Sequence, residues 1–119
     1  MPYVDGFVLP IPKHNLEAYR TMATISSTVW RELGALDYKE WVADDVKPGQ
    51  FTSFPQSVEL KEDEVVVFSY IVFESRAHRD EVNAKVMKDP RLGCGMEGMK
   101  MPFDIKRMSY GGFKVFVDM

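Results

Sequence analysis

The sequence predicts an α+β fold of the ferredoxin-like type, in which a βαββαβ order builds one antiparallel sheet with both helices on the same face. Three observations lead there. Residues 65–74, VVVFSYIVFE, are apolar at nearly every position, the pattern of a strand buried on both faces and therefore central. Two segments with helical apolar spacing flank that strand, one before it and one after it. β-branched and aromatic runs then stand near both ends of the chain, at 3–11 and 105–117, as outer partners for the sheet.

Taken in order, residues 3–11, YVDGFVLPI, form strand one, which Pro10 and Pro12 prevent from continuing as a central strand. From about His14 to Leu33, the positions Leu16, Tyr19, Ala23, Trp30 and Leu33 recur at helical steps, and Gly34 is a natural C-terminal stop. Strand two falls within 35–46, with Leu36, Tyr38 and Val42 on one alternation and Ala35, Trp41 and Ala43 on the other, so its buried face stays open. Residues 47–64 read as a long connection with a helical turn starting near Ser53, of a length that usually forms a lid or a contact surface. After the central strand, Ser75 caps a second helix over 76–89 in which Val82 and Val86 share a face, and Pro90 ends it. A Gly- and Met-rich connection leads to strand four at 105–117, where Gly111 and Gly112 predict a bulge or kink.

At 119 residues the chain fits a single domain, 1–119. Its 45% hydrophobic and 28% charged contents are those of a folded globular protein. A formal charge of −3 gives no general attraction for nucleic acid. No apolar run is long enough to cross a bilayer and no leader pattern opens the chain, so the expectation is a cytoplasmic protein with no membrane partner. With helices on one sheet face only, strands this apolar need cover on the other. A second copy packed sheet against sheet supplies it, which predicts a homodimer of the dimeric α/β-barrel type.

Several blocks carry a family resemblance: YVDGFVLPIPK at the start, DDVKPG and TSFP in the connection, EDEVVVFSYIVFESRAHRDEVNAKVMKDPR in the middle, and MPFDIKRMSYGGF near the end. With these the chain resembles the YbaA family of short bacterial proteins, a domain of unknown function, over almost its whole length. The resemblance implies the dimeric α/β-barrel superfamily, which includes cofactor-free monooxygenases, lactone isomerases and haem-degrading enzymes. It brings no catalytic residues with it.

Candidate chemistry therefore comes from residue types. Asp5, on strand one with Tyr3 and Phe7 on the same side, could become a proton acceptor if buried; the competing reading is an ion pair with Lys114. His78, in the first turn of helix two, could act as acid, base or ligand, or simply pack with Val82 and Val86. Tyr70 is the third proton-handling candidate. Tyr3, Trp30, Tyr38, Ser69 and Arg107 are candidates to line a pocket for a small, partly apolar molecule. His14 and His78 lack metal-ligand spacing, so no metal is expected, nor any other cofactor. Cys94 has no neighbour to activate it, and Met96, Met99, Met101 and Met108 suit either a pocket or a packing surface. Two functions follow: an enzyme of monooxygenase or isomerase type, or a non-catalytic module that binds or senses a small molecule.

Overall fold

The computed structural model describes residues 1–92 and 101–118. Four strands, β1 (Tyr3–Pro12), β2 (Asp37–Val42), β3 (Glu64–Phe73) and β4 (Ser109–Lys114), form one sheet in the order β2-β3-β1-β4. Every neighbouring pair is antiparallel. Helix α1 (Leu16–Glu32) links β1 to β2, the short α2 (Phe54–Ser57) lies in the connection before β3, and α3 (Arg76–Met87) follows β3. This is the ferredoxin-like arrangement, with β1 and β3 as the central pair.

Strand β1 runs on to Pro12, past the point where the prolines were expected to halt it. β4 begins with Ser109 opposite Val8, so beyond Val8 only β3 flanks β1. Proline is tolerated there because the strand has become an edge on one side. β2 is shorter than the 35–46 run: the ladder to β3 covers Asp37–Val42, with one further backbone bond to β3 from Leu36 and one from Ala43. Strand four is likewise confined to Ser109–Lys114, preceded by a 3-10 turn at Ile105–Arg107.

The expected bulge at Gly111 and Gly112 is not there: the ladder to β1 continues residue for residue through Gly6↔Gly111 and Asp5↔Gly112. Space, rather than backbone irregularity, accounts for Gly112. A Cβ at that position would run into the Tyr3 ring and hydroxyl. Gly34 ends α1 as expected, with φ +127° and the Val82 side chain within 3.2 Å of where a Cβ would stand. The hydroxyls of Ser53 and Ser75 accept the backbone N–H of Gln56 and His78, capping α2 and α3.

Strand alternation divides the sheet into two unlike faces. Leu9, Ile11, Val67, Ile71 and Phe73 point toward the helices and are buried with Tyr19, Ala23 and Val29 of α1 and Val82 and Val86 of α3. The opposite face carries Val4 and Val8 of β1, Val66, Phe68, Tyr70 and Val72 of β3, Trp41 of β2 and Phe113 of β4. The connection before β3 reaches one end of this face, where Val46 and Phe54 share a cleft with Trp41, Val66 and Phe68, but the outer aromatics stay open: Trp41, Phe68 and Phe113 are 50%, 43% and 61% exposed. Tyr70 lies between Trp41 and Phe68, with ring centroids 6.4 and 6.2 Å away.

Candidate functional site

Beneath α1, the helix-facing side of the sheet becomes polar at one place. In β2, Tyr38 and Glu40 lie opposite Ile71 and Ser69, so both turn toward the helix while Lys39 and Trp41 turn away. Helix α1 meets them with Tyr19, Ala23, Ser26 and Trp30, residues spaced four, three and four apart on one face. Tyr19 Oη donates to Glu40 Oε1 at 2.7 Å, and Tyr38 Oη donates to Glu40 Oε2 at 2.7 Å. Each carboxylate oxygen thus accepts one phenol.

Two cavities meet at this group, sharing Tyr19, Ala23, Tyr38 and Glu40 as a common wall. The inner one, about 130 Å³, continues between helix and sheet along Phe7, Trp30, Ser69, Phe103 and Met108. The outer one, about 320 Å³, runs past Arg20, Thr24, Trp41 and Val42. Its wall residues Arg20, Thr24, Trp41 and Val42 are all exposed, so this side faces solvent. The combination is an apolar, aromatic space with a few convergent polar groups, the usual make-up of a small-molecule site.

Both phenols are pushed well above the ordinary tyrosine range. Burial is the largest cause for each, followed by the adjacent Glu40 charge and the hydrogen bond to it; for Tyr38 a hydroxyl contact from Ser26 offsets part of the rise. They remain neutral donors where an exposed tyrosine ionises. Because the folded values are raised, their contribution to stability is complete below about pH 10, the unfolded tyrosine range, and is lost as the pH climbs further. Tyr19→Phe with Tyr38→Phe is therefore expected to flatten the decline in stability above about pH 10, measured by urea unfolding at stepped alkaline pH. An unchanged alkaline slope would contradict the burial of these hydroxyls.

The structure brings three of the expected pocket residues, Trp30, Tyr38 and Ser69, to the inner cavity and sends the others elsewhere. Tyr70 is on the opposite sheet face, as its neighbour Ser69 requires of it by alternation. Asp5 is buried, but its partner is Arg79, not Lys114: Arg79 Nη1 donates to Asp5 Oδ1 at 2.7 Å, while Lys114 stands opposite Tyr3. Arg79 also lies over the Tyr3 ring, 5.0 Å from its centroid. Asn83 bridges Asp5 to the cavity wall, donating to Asp5 Oδ2 at 3.4 Å and accepting Trp30 Nε1–H at 3.0 Å. Asp5 and Tyr3 thus belong to a polar cluster that fixes α3 and Trp30 from behind.

Arg107 is no pocket-lining residue of this site either; its guanidinium is bound to Glu64 through two 2.7 Å contacts. His78 accepts the Glu74 backbone N–H at Nδ1, 3.0 Å, and packs edge-on against Phe73, so it closes the first turn of α3. His14 is exposed in the turn before α1. Of the methionines, Met108 lines the inner cavity; Met96, Met99 and Cys94 lie outside the described residues. Among those described, no group of three or more His, Cys, Asp or Glu side chains could hold a metal ion, and no helix is long and apolar enough to cross a membrane.

Glu40 and Tyr19 went unselected in the sequence. Tyr19 was visible only as part of an apolar stripe. Glu40 had one signal, its spacing of two from Tyr38 on a strand, which puts a carboxylate on the same face as an aromatic residue.

An antiparallel sheet with both helices on one face and a polar-ended cavity beneath the first helix defines a ferredoxin-like α+β protein. Residues 2–105 match the family described as "Protein of unknown function (DUF1428)", and the chain belongs to that family. It is 46% identical over 118 residues to the "Uncharacterized protein YbaA" of Escherichia coli K12, covering 99% of both chains, and the Shigella flexneri protein of that name gives the same figures. Among solved structures it is similar to Rv0793 from Mycobacterium tuberculosis, at 13% identity and TM-score 0.54 over 99% of this chain and 98% of that one. A dimeric ferredoxin-like protein from an uncultured marine organism is similar at 11% identity and TM-score 0.52, over 100% and 98%. At such identities these two likenesses speak to the fold.

Proposed function

We propose that the chain binds a small, partly apolar molecule in the linked cavities under α1, that Glu40 serves there as a proton acceptor, and that two copies associate as a dimeric α/β barrel. One observation carries the reading: a carboxylate held by two phenols at the junction of two cavities, with aromatic walls on both sides. A carboxylate within reach of bound substrate is a general base. In an isomerase-like reaction a proton leaves one atom of the substrate for Glu40 and returns to another, so no co-reactant is needed. A monooxygenase-like reaction would follow the same deprotonation with dioxygen as co-substrate, one oxygen entering the substrate and the other leaving as water on two electrons and two protons that the substrate itself gives up. The uncovered apolar sheet face and the likeness to a dimeric ferredoxin-like protein support the pairing of copies.

A second reading, a binding or sensing module without turnover, is favoured by the same two hydrogen bonds. Each Glu40 oxygen already accepts a phenol, so the carboxylate is built to hold a ligand as much as to take its proton. Native mass spectrometry of the freshly purified protein is expected to give the mass of two chains with a reproducible small adduct. A monomer at micromolar concentration would sink the barrel. With the adduct identified, Glu40→Gln is expected to lower turnover by roughly 10²–10⁴-fold while the dimer persists. Stoichiometric saturation of the wild type with no product decides for the binding module.

A further inference from the structure

Resting on that reading of the site, we infer that the polar end of the ligand is a protonated amine, seated on Glu40 within the aromatic walls. Among the described residues, five carboxylates lie below the exposed range: Asp5, Asp37, Glu40, Glu64 and Asp89. Four of them have a cationic partner within 2.8 Å, respectively Arg79, Lys39, Arg107 and Arg91. Glu40 has none among the described residues and is met by two neutral hydroxyls instead. A half-buried carboxylate that lacks a counter-charge is the group whose partner a ligand can supply.

The rest of the wall selects in the same direction. Each phenol has one hydroxyl proton, and both protons are directed at Glu40, so the tyrosine oxygens offer a ligand only lone pairs. An N–H donor finds acceptors there, whereas a carboxylate or phosphate meets the Glu40 charge, with the Ser26 and Ser69 hydroxyls as the neutral donors on the inner wall. The rings of Tyr19, Trp30, Tyr38 and Phe103 enclose the cavity, and ring faces attract a cation. Among the described residues the one cationic side chain on the cavity walls, Arg20, is 71% exposed at the outer margin and sits 3.4 Å from Glu17. It leaves the inner end to Glu40.

Benzylamine, benzyl alcohol and benzoate share a ring and differ in the charge of the attached group, so calorimetric titration of the full chain with each isolates that charge. Benzylamine is expected to saturate at one per chain, at least about tenfold tighter than benzyl alcohol, with benzoate weakest. Glu40→Gln should erase the preference for the amine while leaving the alcohol little changed. Retained benzyl alcohol binding in Glu40→Gln, together with an unchanged urea midpoint, guards against a fold defect in that variant. If the alcohol or benzoate competes for the cavity as tightly as the amine, or if amine binding survives Glu40→Gln unaltered, the amine inference is overturned and the cavity reading stands. If none of the three saturates, both are overturned.

Discussion

Arg107→Ala is expected to lower the unfolding free energy by about 3–5 kcal/mol, the range for breaking a buried ion pair by removing one partner. Glu64 is 7% exposed and Arg107's side chain 13% exposed, so neither charge has much water to turn to. The guanidinium reaches both Glu64 oxygens and also donates to the Val58 carbonyl through Nη2 at 2.9 Å and Nε at 3.2 Å. It thereby ties the turn before β4 to the start of β3 and to the end of α2. Truncation would strand a carboxylate and a carbonyl at once, with only the Lys61 backbone N–H left on Glu64. The hydrogen bond from Arg107 is also the main reason that the Glu64 carboxyl is held below its ordinary value of 4.5. A lowered folded value gives stability that is present above the unfolded value and lost as the pH falls through the folded one. The resistance of the wild type to urea should therefore fall as the pH drops below about 4.5, and that dependence should shrink in Arg107→Ala. A loss under about 1 kcal/mol, with acid sensitivity unchanged, would mean that the pair contributes no more than a surface bridge.

The residues that announced themselves did so through local chemistry, and those that were misread depend on partners far away in the chain. VVVFSYIVFE could only be a central strand, and Gly34, Ser53 and Ser75 fixed helix ends because a backbone cap involves neighbours three or four residues off. Trp30, Tyr38 and Ser69 reached the cavity because aromatic and small polar residues on a core-facing side have nowhere else to go. Tyr70 could have been excluded by parity, since adjacent strand residues cannot both face one pocket. Asp5 and Arg107 were different. Alternation puts Asp5 on the helix side, but which cation reaches it is set by how α3 lies across β1, 74 positions later. Glu64 and Arg107 are 43 apart and meet through a turn that no periodicity describes. Glu40 depended on register: paired with Ser69 it faces α1, and a slip of one residue would exchange it with Lys39.

Phe68→Asp is expected to convert the proposed dimer into a monomer without unfolding it. Phe68 lies on the uncovered sheet face, opposite both Val8 of β1 and Trp41 of β2, at the middle of the apolar surface that a second sheet would meet. In the single chain it is 43% exposed, so an aspartate there can stay hydrated and should cost the fold little. Between two packed sheets the same carboxylate would be desolvated with no cation opposite, at a cost of several kcal/mol for each of two copies. Since about 1.4 kcal/mol is a tenfold change in affinity, dissociation constants should rise by several orders of magnitude. Sedimentation velocity at matched micromolar concentrations reads this directly, and Trp41 fluorescence should report a wetter indole in the variant. Met87→Asp, on the exposed outer side of α3 and 72% exposed, is the control expected to leave assembly intact. If Phe68→Asp dimerises as tightly as the wild type, the copies meet through another surface and the Trp41–Tyr70–Phe68 cluster must be covered by some other partner, because aromatic area of this extent is rarely left in water.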